Sequence, residues 1–180
     1  FLLPTRISAT SIEMRVRAFI ETLFPDANVR PNVVLAVPSD LRANGHDGTR
    51  LAGFEVFWPD QPDEPPPYWA AENSKRYFAA AAAVATVDQF LLSALRTKHA
   101  HLRATSLLRA LVVVDEVHAS DPYMRALLRS ALRRHHAAGG EALLMSATLT
   151  GEARDDFLEA CHRKTWPRMA RAPDEDRAAA

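Results

Sequence analysis

From Leu111 to Val114 four apolar residues run unbroken into Asp115 and Glu116. A run without alternation predicts a strand covered on both faces, as in a parallel sheet. Comparable blocks are "FLL" before Pro4, "NVVLAV" (Asn32 to Val37) between Pro31 and Pro38, and "EALLMSAT" from Glu141. Between them the apolar spacing changes to three and four. Ile12, Val16, Phe19, Ile20 and Leu23 follow a stretch of hydroxyl caps from Thr5 to Ser11. Phe90, Leu91, Leu92 and Leu95 follow Thr86 or Asp88 as caps. Met124, Leu127, Leu128, Ala131 and Leu132 form a stripe after Ser120 or Asp121, with Pro122 in the first turn and Gly139-Gly140 as the stop. "GEARDDFLEACHRK" predicts a last helix. "AAAAAVATV" is ambiguous: alanine favours helix, while its "VATV" end suits a strand.

Strand followed by helix recurs about four times, which predicts an α/β fold with a mostly parallel sheet flanked by helices. Residues 1–165 are expected to form one domain body. A Pro-rich acidic stretch at 39–68 reads as an irregular insertion, and 166–180 as a flexible tail. At 180 residues and 48% hydrophobic, the chain can bury a core. Lys+Arg and Asp+Glu balance at 22 each, so any polyanion site requires local sorting of charge. That sorting is present. Leu51 to Ser74 carries Glu55, Asp60, Asp63, Glu64 and Glu72 without a Lys or Arg, whereas Arg96 to Arg109 carries Arg96, Lys98, His99, His101, Arg103 and Arg109 without an acid. The single cysteine, Cys161, excludes an internal disulfide and fits a cytoplasmic setting, with Cys161 itself expected as a small helix residue. No run approaches the roughly 20 apolar residues of a membrane span. The start "FLLPTRIS" has neither Met nor a basic signal-peptide region, and the chain reads as a piece of something longer.

In an open parallel sheet, ligands bind at the carboxyl ends of the strands. Each polar cluster here follows an apolar run: Thr5-Arg6, Thr86 with Asp88 and Gln89, Asp115-Glu116 with His118, and Ser146 to Thr148. A carboxylate just past a buried strand is well placed to hold Mg²⁺ through water, and its neighbour can polarise an attacking water. That is the Walker-B arrangement of an NTPase. The competing reading makes the acid pair a helix cap complementing the dipole. "LLMSAT", one crossover downstream, favours the nucleotide reading, because its hydroxyls could bridge to the acids.

"DEVH" followed by "SAT" resembles motifs II and III of superfamily-two DExH helicases. "WAAENSKRYFAAAAAVATVDQFLLSALRTKHAHLR", "VVVDEVHASDPYM" and "LLMSATL", with "LLPTRISATSIEMRV" as motif Ia, together resemble the CRISPR-associated helicase-nuclease of type I systems over roughly residues 1 to 160. The resemblance implies a RecA-like P-loop NTPase lobe, ATP and Mg²⁺ as ligands, and 3′-to-5′ travel on single-stranded DNA. It also implies recruitment by the type I CRISPR surveillance complex (Cascade), and a second helicase lobe and HD nuclease domain as partners. Asp115 would hold Mg²⁺ through water, Glu116 would be the catalytic base, and His118 would couple the nucleotide to motif III. Ser146, Ala147 and Thr148 would relay ATP state, and Thr5, Arg6, Thr86 and Gln89 would contact DNA phosphates.

The sequence departs from this pattern in one large respect. No G-x-x-x-x-G-K-[ST] occurs in it, so the phosphate loop is absent from these residues. The resemblance places the strand carrying that loop between the strands bearing motifs II and III, so that without it those strands are expected to face a gap or to pair wrongly. Ala85 stands where the family usually has Gly, and Ser120 where Tyr is common. A non-catalytic DNA-binding or scaffold module derived from a helicase lobe is the alternative, and a metal hydrolase using Asp115, Glu116 and His118 a weaker third. Other features have plainer explanations: His46-Asp47 as a glycine-flanked loop, His135-His136 as helix-dipole partners, and Trp58, Tyr68 and Trp69 as packing for the insertion. The Arg96–Arg109 cluster is equally a solvated face or part of a DNA groove.

Overall fold

The computed structural model describes residues 1–37, 40–51, 56–59, 68–108, 110–117 and 121–161. Its elements run β1 (Leu2–Leu3), α1 (Arg6–Leu23), β2 (Val33–Ala36), β3 (Arg42–Ala43), β4 (His46–Asp47), β5 (Thr49–Arg50), β6 (Val56–Phe57), β7 (Ala82–Thr86) and α2 (Val87–Leu91). They continue with α3 (Ala100–Ser106), β8 (Leu111–Val114), α4 (Pro122–Ala137), β9 (Glu141–Leu144) and α5 (Gly151–Ala160). Seven strands form one sheet in the order β4-β3-β2-β7-β1-β8-β9, parallel from β2 to β9, and β5 and β6 form a separate ribbon.

The side chains divide with the pleat's period of two. On β2, Val33 and Leu35 pack with Ala9 and Val16 of α1, while Val34 and Ala36 join Phe90, Leu128, Leu132 and Phe157 on the other face. Helices α1 and α4 start where the sequence provides caps. The Thr5 hydroxyl accepts from Ser8 N–H at 3.1 Å, and Asp121 Oδ1 accepts from Met124 N–H at 2.8 Å. The ambiguous alanine run is a strand: β7 lies between β2 and β1, buried from Val84 to Thr86, and these neighbours override its helix propensity.

Two expectations are corrected. Residues 42–57, read as irregular, contain four short strands, and β3 and β4 extend the main sheet as an antiparallel hairpin. No gap separates the strands before the acid pair and before "SAT". β8 and β9 pair directly, in register from Leu111↔Glu141 to Val114↔Leu144. The parallel side of the sheet therefore ends at β9, whose outer side pairs with no strand among the described residues. On the α1 side of the sheet this leaves a sparsely covered corner, where Leu111 is 63% and Leu143 50% exposed. The expected tail at 166–180 lies outside the described residues.

Candidate nucleotide site at the carboxyl ends of the strands

Backbone pairing assembles one rim. Leu3 lies opposite Thr86, so Thr5-Arg6 and Thr86 emerge from neighbouring strands. The Asp115 N–H donates to Leu2 O at 2.9 Å, the Met145 N–H to Val114 O at 2.8 Å, and the Val117 N–H to Met145 O at 3.1 Å. These bonds carry the ladder one step beyond β8 and β9. They fix the half-buried Asp115 and Glu116 beside the half-buried Ser146. Ala147 and Thr148 come next, both exposed.

The turn out of β8 is strained. Glu116 has φ 56°, a left-handed conformation that costs a non-glycine residue about 1 kcal/mol or more. Asp115 Oδ1 accepts the Glu116 N–H at 2.9 Å, which steadies that turn. The helix-cap alternative fails here, because α4 takes its cap from Asp121 instead. Asp115 also lines a cavity of about 500 Å³ with Val113, Met145 and, from α1, Arg15 and Val16. Thr148 lines a smaller one of about 140 Å³ with Val117, Arg125 and Thr150. Neither Arg15 nor Arg125 belongs to a motif of the sequence. The signal for Arg125 is its place in the first turn of α4, the end that faces the rim.

The donor chemistry fits a magnesium nucleotide. One carboxylate oxygen is occupied by a backbone amide, a second acid stands next to it, and hydroxyls arrive from the adjacent strand. The other expected residues are placed less uniformly. Thr5 and Arg6 are exposed at the rim, Thr86 and Gln89 are buried at 6% exposure each, and His118 lies outside the described residues.

The remaining features resolve individually. His46 and Asp47 are exposed on β4, and Asp47 pairs with Arg42 at 2.8 Å. Among the described residues no three His, Cys, Asp or Glu gather as metal ligands. His135 is more than a dipole partner. It is buried, and its Nε2–H donates to both Ala110 O (3.0 Å) and Glu141 O (3.2 Å), which ties together the entries to β8 and β9. Trp58 and Tyr68 pack edge-to-face at 4.8 Å inside the core, whereas Trp69 is 52% exposed beneath the Arg76 guanidinium. Cys161 caps the end of α5, half-buried. Among the described residues no helix is long and apolar enough to cross a membrane.

A parallel sheet with an acid pair on one strand end and a hydroxyl-rich end on the next defines the class: a RecA-like lobe. No family model matches the chain. It is 36% identical over 160 residues to the CRISPR-associated endonuclease/helicase Cas3 of Thermus thermophilus, covering 88% of this chain and 17% of that protein. It is 29% identical over 167 residues to Cas3 of Escherichia coli, covering 93% and 18%. The crystal structure of T. fusca Cas3 with ATP superposes with a TM-score of 0.66 at 28% identity, covering 94% of this chain and 18% of that one. The chain thus matches part of the helicase region of the Cas3 helicase-nucleases, as a fragment that spans less than a fifth of the length of these relatives.

Proposed function

We propose that this chain supplies the Walker-B and motif III part of the first RecA-like lobe of an ATP-dependent 3′-to-5′ DNA helicase in type I CRISPR interference. The observation that carries this is the β8–β9 register, which puts Asp115-Glu116 alongside Ser146–Thr148 on one rim. Bound Mg²⁺ would neutralise the charge that develops on the β- and γ-phosphates. Asp115 would hold that metal through water. Glu116, turned out of the strand by its left-handed backbone, accepts a proton from the attacking water. His118 couples this acid pair to Ser146, Ala147 and Thr148, whose position on the next strand changes with the nucleotide. Thr5 and Arg6 contact the phosphates of single-stranded DNA at the same rim. Thr86 and Gln89, being buried, position that segment from beneath unless the rim opens on binding. The free edge of β9, beside Ser146, is where a strand bearing a phosphate loop would add. Recruitment by the surveillance complex (Cascade), and cooperation with a second lobe and an HD nuclease, complete the reading.

The test is Glu116→Gln in the intact parent protein, which keeps the shape and removes the base. ATP hydrolysis should fall by about a hundredfold or more while ATP binding is retained. Retained turnover refutes the assignment. A second reading is a non-catalytic DNA-binding or scaffold module derived from a helicase lobe. Failure of the wild-type intact parent protein to bind ATP would decide for it.

A further inference from the structure

Helix α3 packs against the 3₁₀ turn Tyr77–Ala79, which brings Lys75 towards the residue that opens the helix, His99. His99 has φ 66°, left-handed, and its side chain makes no capping bond. One turn along, Arg103 is only 8% exposed, and its Nε has no hydrogen-bond partner. Lys98 and His101 flank them, both exposed. Among the described residues, none of these five side chains makes an ion pair or a side-chain hydrogen bond. Three other half-buried guanidinium groups are answered by acids: Arg42 by Asp47, Arg76 by Glu72, and Arg129 by Asp156 and Glu159. The chain is neutral and carries 22 acids, yet among the described residues none is set against this group. The crowding is felt at His99, whose imidazole is held below its ordinary pKa by desolvation and then by Lys75, His101, Arg103 and Lys98.

A cluster of cations that includes a buried guanidinium with no partner among the described residues is unfavourable unless an anion completes it. Lys75, Lys98, His99, His101 and Arg103 form, we propose, a phosphate-binding site for single-stranded nucleic acid, separate from the nucleotide rim. The chain from α3 feeds the amino end of β8, whereas Asp115 stands past its carboxyl end. Two observations favour nucleic acid over an acidic protein segment. The cations come from two stretches of chain, Lys75 and Lys98 to Arg103, an arrangement that can reach more than one phosphate. In addition, Trp69, half-exposed under Arg76, presents an aromatic plane close in sequence to Lys75, and bases stack on such planes. The assignment rests on the strand-binding reading above and extends it to a second contact region.

Fluorescence polarisation of a labelled oligo-dT with the full chain tests it. The variant is the triple substitution Lys75→Gln, Lys98→Gln and His101→Gln, none of which touches the core; an unchanged melting temperature confirms that the fold is intact. Affinity at about 0.1 M salt should fall roughly tenfold, and the slope of log K against log salt should become shallower by about 1.4, for the two lysine charges removed. Equal affinity and slope overturn the site. So does binding lost on Thr5→Ala with Arg6→Ala but kept in the triple variant, an outcome that spares the rim reading. Tight binding of polyglutamate that the triple variant abolishes, without dT binding by the wild type, replaces nucleic acid with an acidic protein. Wild type that binds neither probe overturns both this site and the strand-binding reading beneath it.

Discussion

Glu13 lies on the packed side of α1, 1% exposed, with Arg17 3.6 Å away and one carboxylate oxygen lacking a hydrogen bond. Desolvation raises its pKa, and Arg17 and then Arg42 offset this only in part. The folded state therefore holds the Glu13 proton more tightly than the unfolded chain does. The associated stability is present below the ordinary carboxyl range and is lost as pH rises through the raised folded value. Glu13→Gln removes that loss, so the melting temperature of the variant relative to wild type should climb between pH 4 and pH 8. A difference that stays flat with pH would show that the carboxyl is not desolvated. Its burial was legible in principle, though the predicted apolar stripe of α1 omits it: with Val16 and Ile20 it shares one helical face, a polar position among apolar ones. The strain at Glu116 was not. Asp115 and Glu116 stand out as acids after a buried run, but nothing in the local letters marks the second as left-handed, because that backbone is imposed by the bond from Val117 N–H to Met145 O.

Elements were legible where one period ran long enough. Helices α1, α4 and α5 and strands β2, β8 and β9 follow the apolar spacing, whereas β3 and β4, two residues each, are too short to show alternation. Their signal was the turn itself. Asn44-Gly45, with φ 49° and 82°, is a two-residue hairpin turn, and it was hidden among prolines and acids that point to loop. At the other end of the sheet, His135 dictates the residue between α4 and β9. Its imidazole lies where a Cβ on Gly140 would fall, so that glycine is required for close approach rather than only as a helix stop. Gly140→Ala should displace the ring from the carbonyls of Ala110 and Glu141 and cost about 2 kcal/mol, read from the midpoint of urea unfolding. Gly139→Ala, where the added carbon meets nothing, should lose only the cost that its φ of 86° imposes.

The sheet as a whole is covered unevenly, and its strand order is the reason. Helix α1 packs on β1, β2 and β7, and α4 and α5 close the opposite face. On the α1 side the pleat turns Leu111, Val113, Leu143 and Met145 towards a corner that no described helix covers, beside the unpaired edge of β9. The strand order could not be read from the sequence, because an apolar run states that a strand is buried without saying which neighbours bury it. Its consequence can be measured. A flat apolar edge is a template for another chain, so these 180 residues produced alone should self-associate at micromolar concentration, seen as mass growing with concentration in light scattering. Leu143→Lys puts a charge on that exposed edge without touching the core and should shift the population towards monomer. If wild type is monomeric and Leu143→Lys changes nothing, the corner is already closed, and a strand bearing a phosphate loop could not add at β9. The nucleotide reading of Asp115 and Glu116 would then lack the one edge through which the rim can be completed.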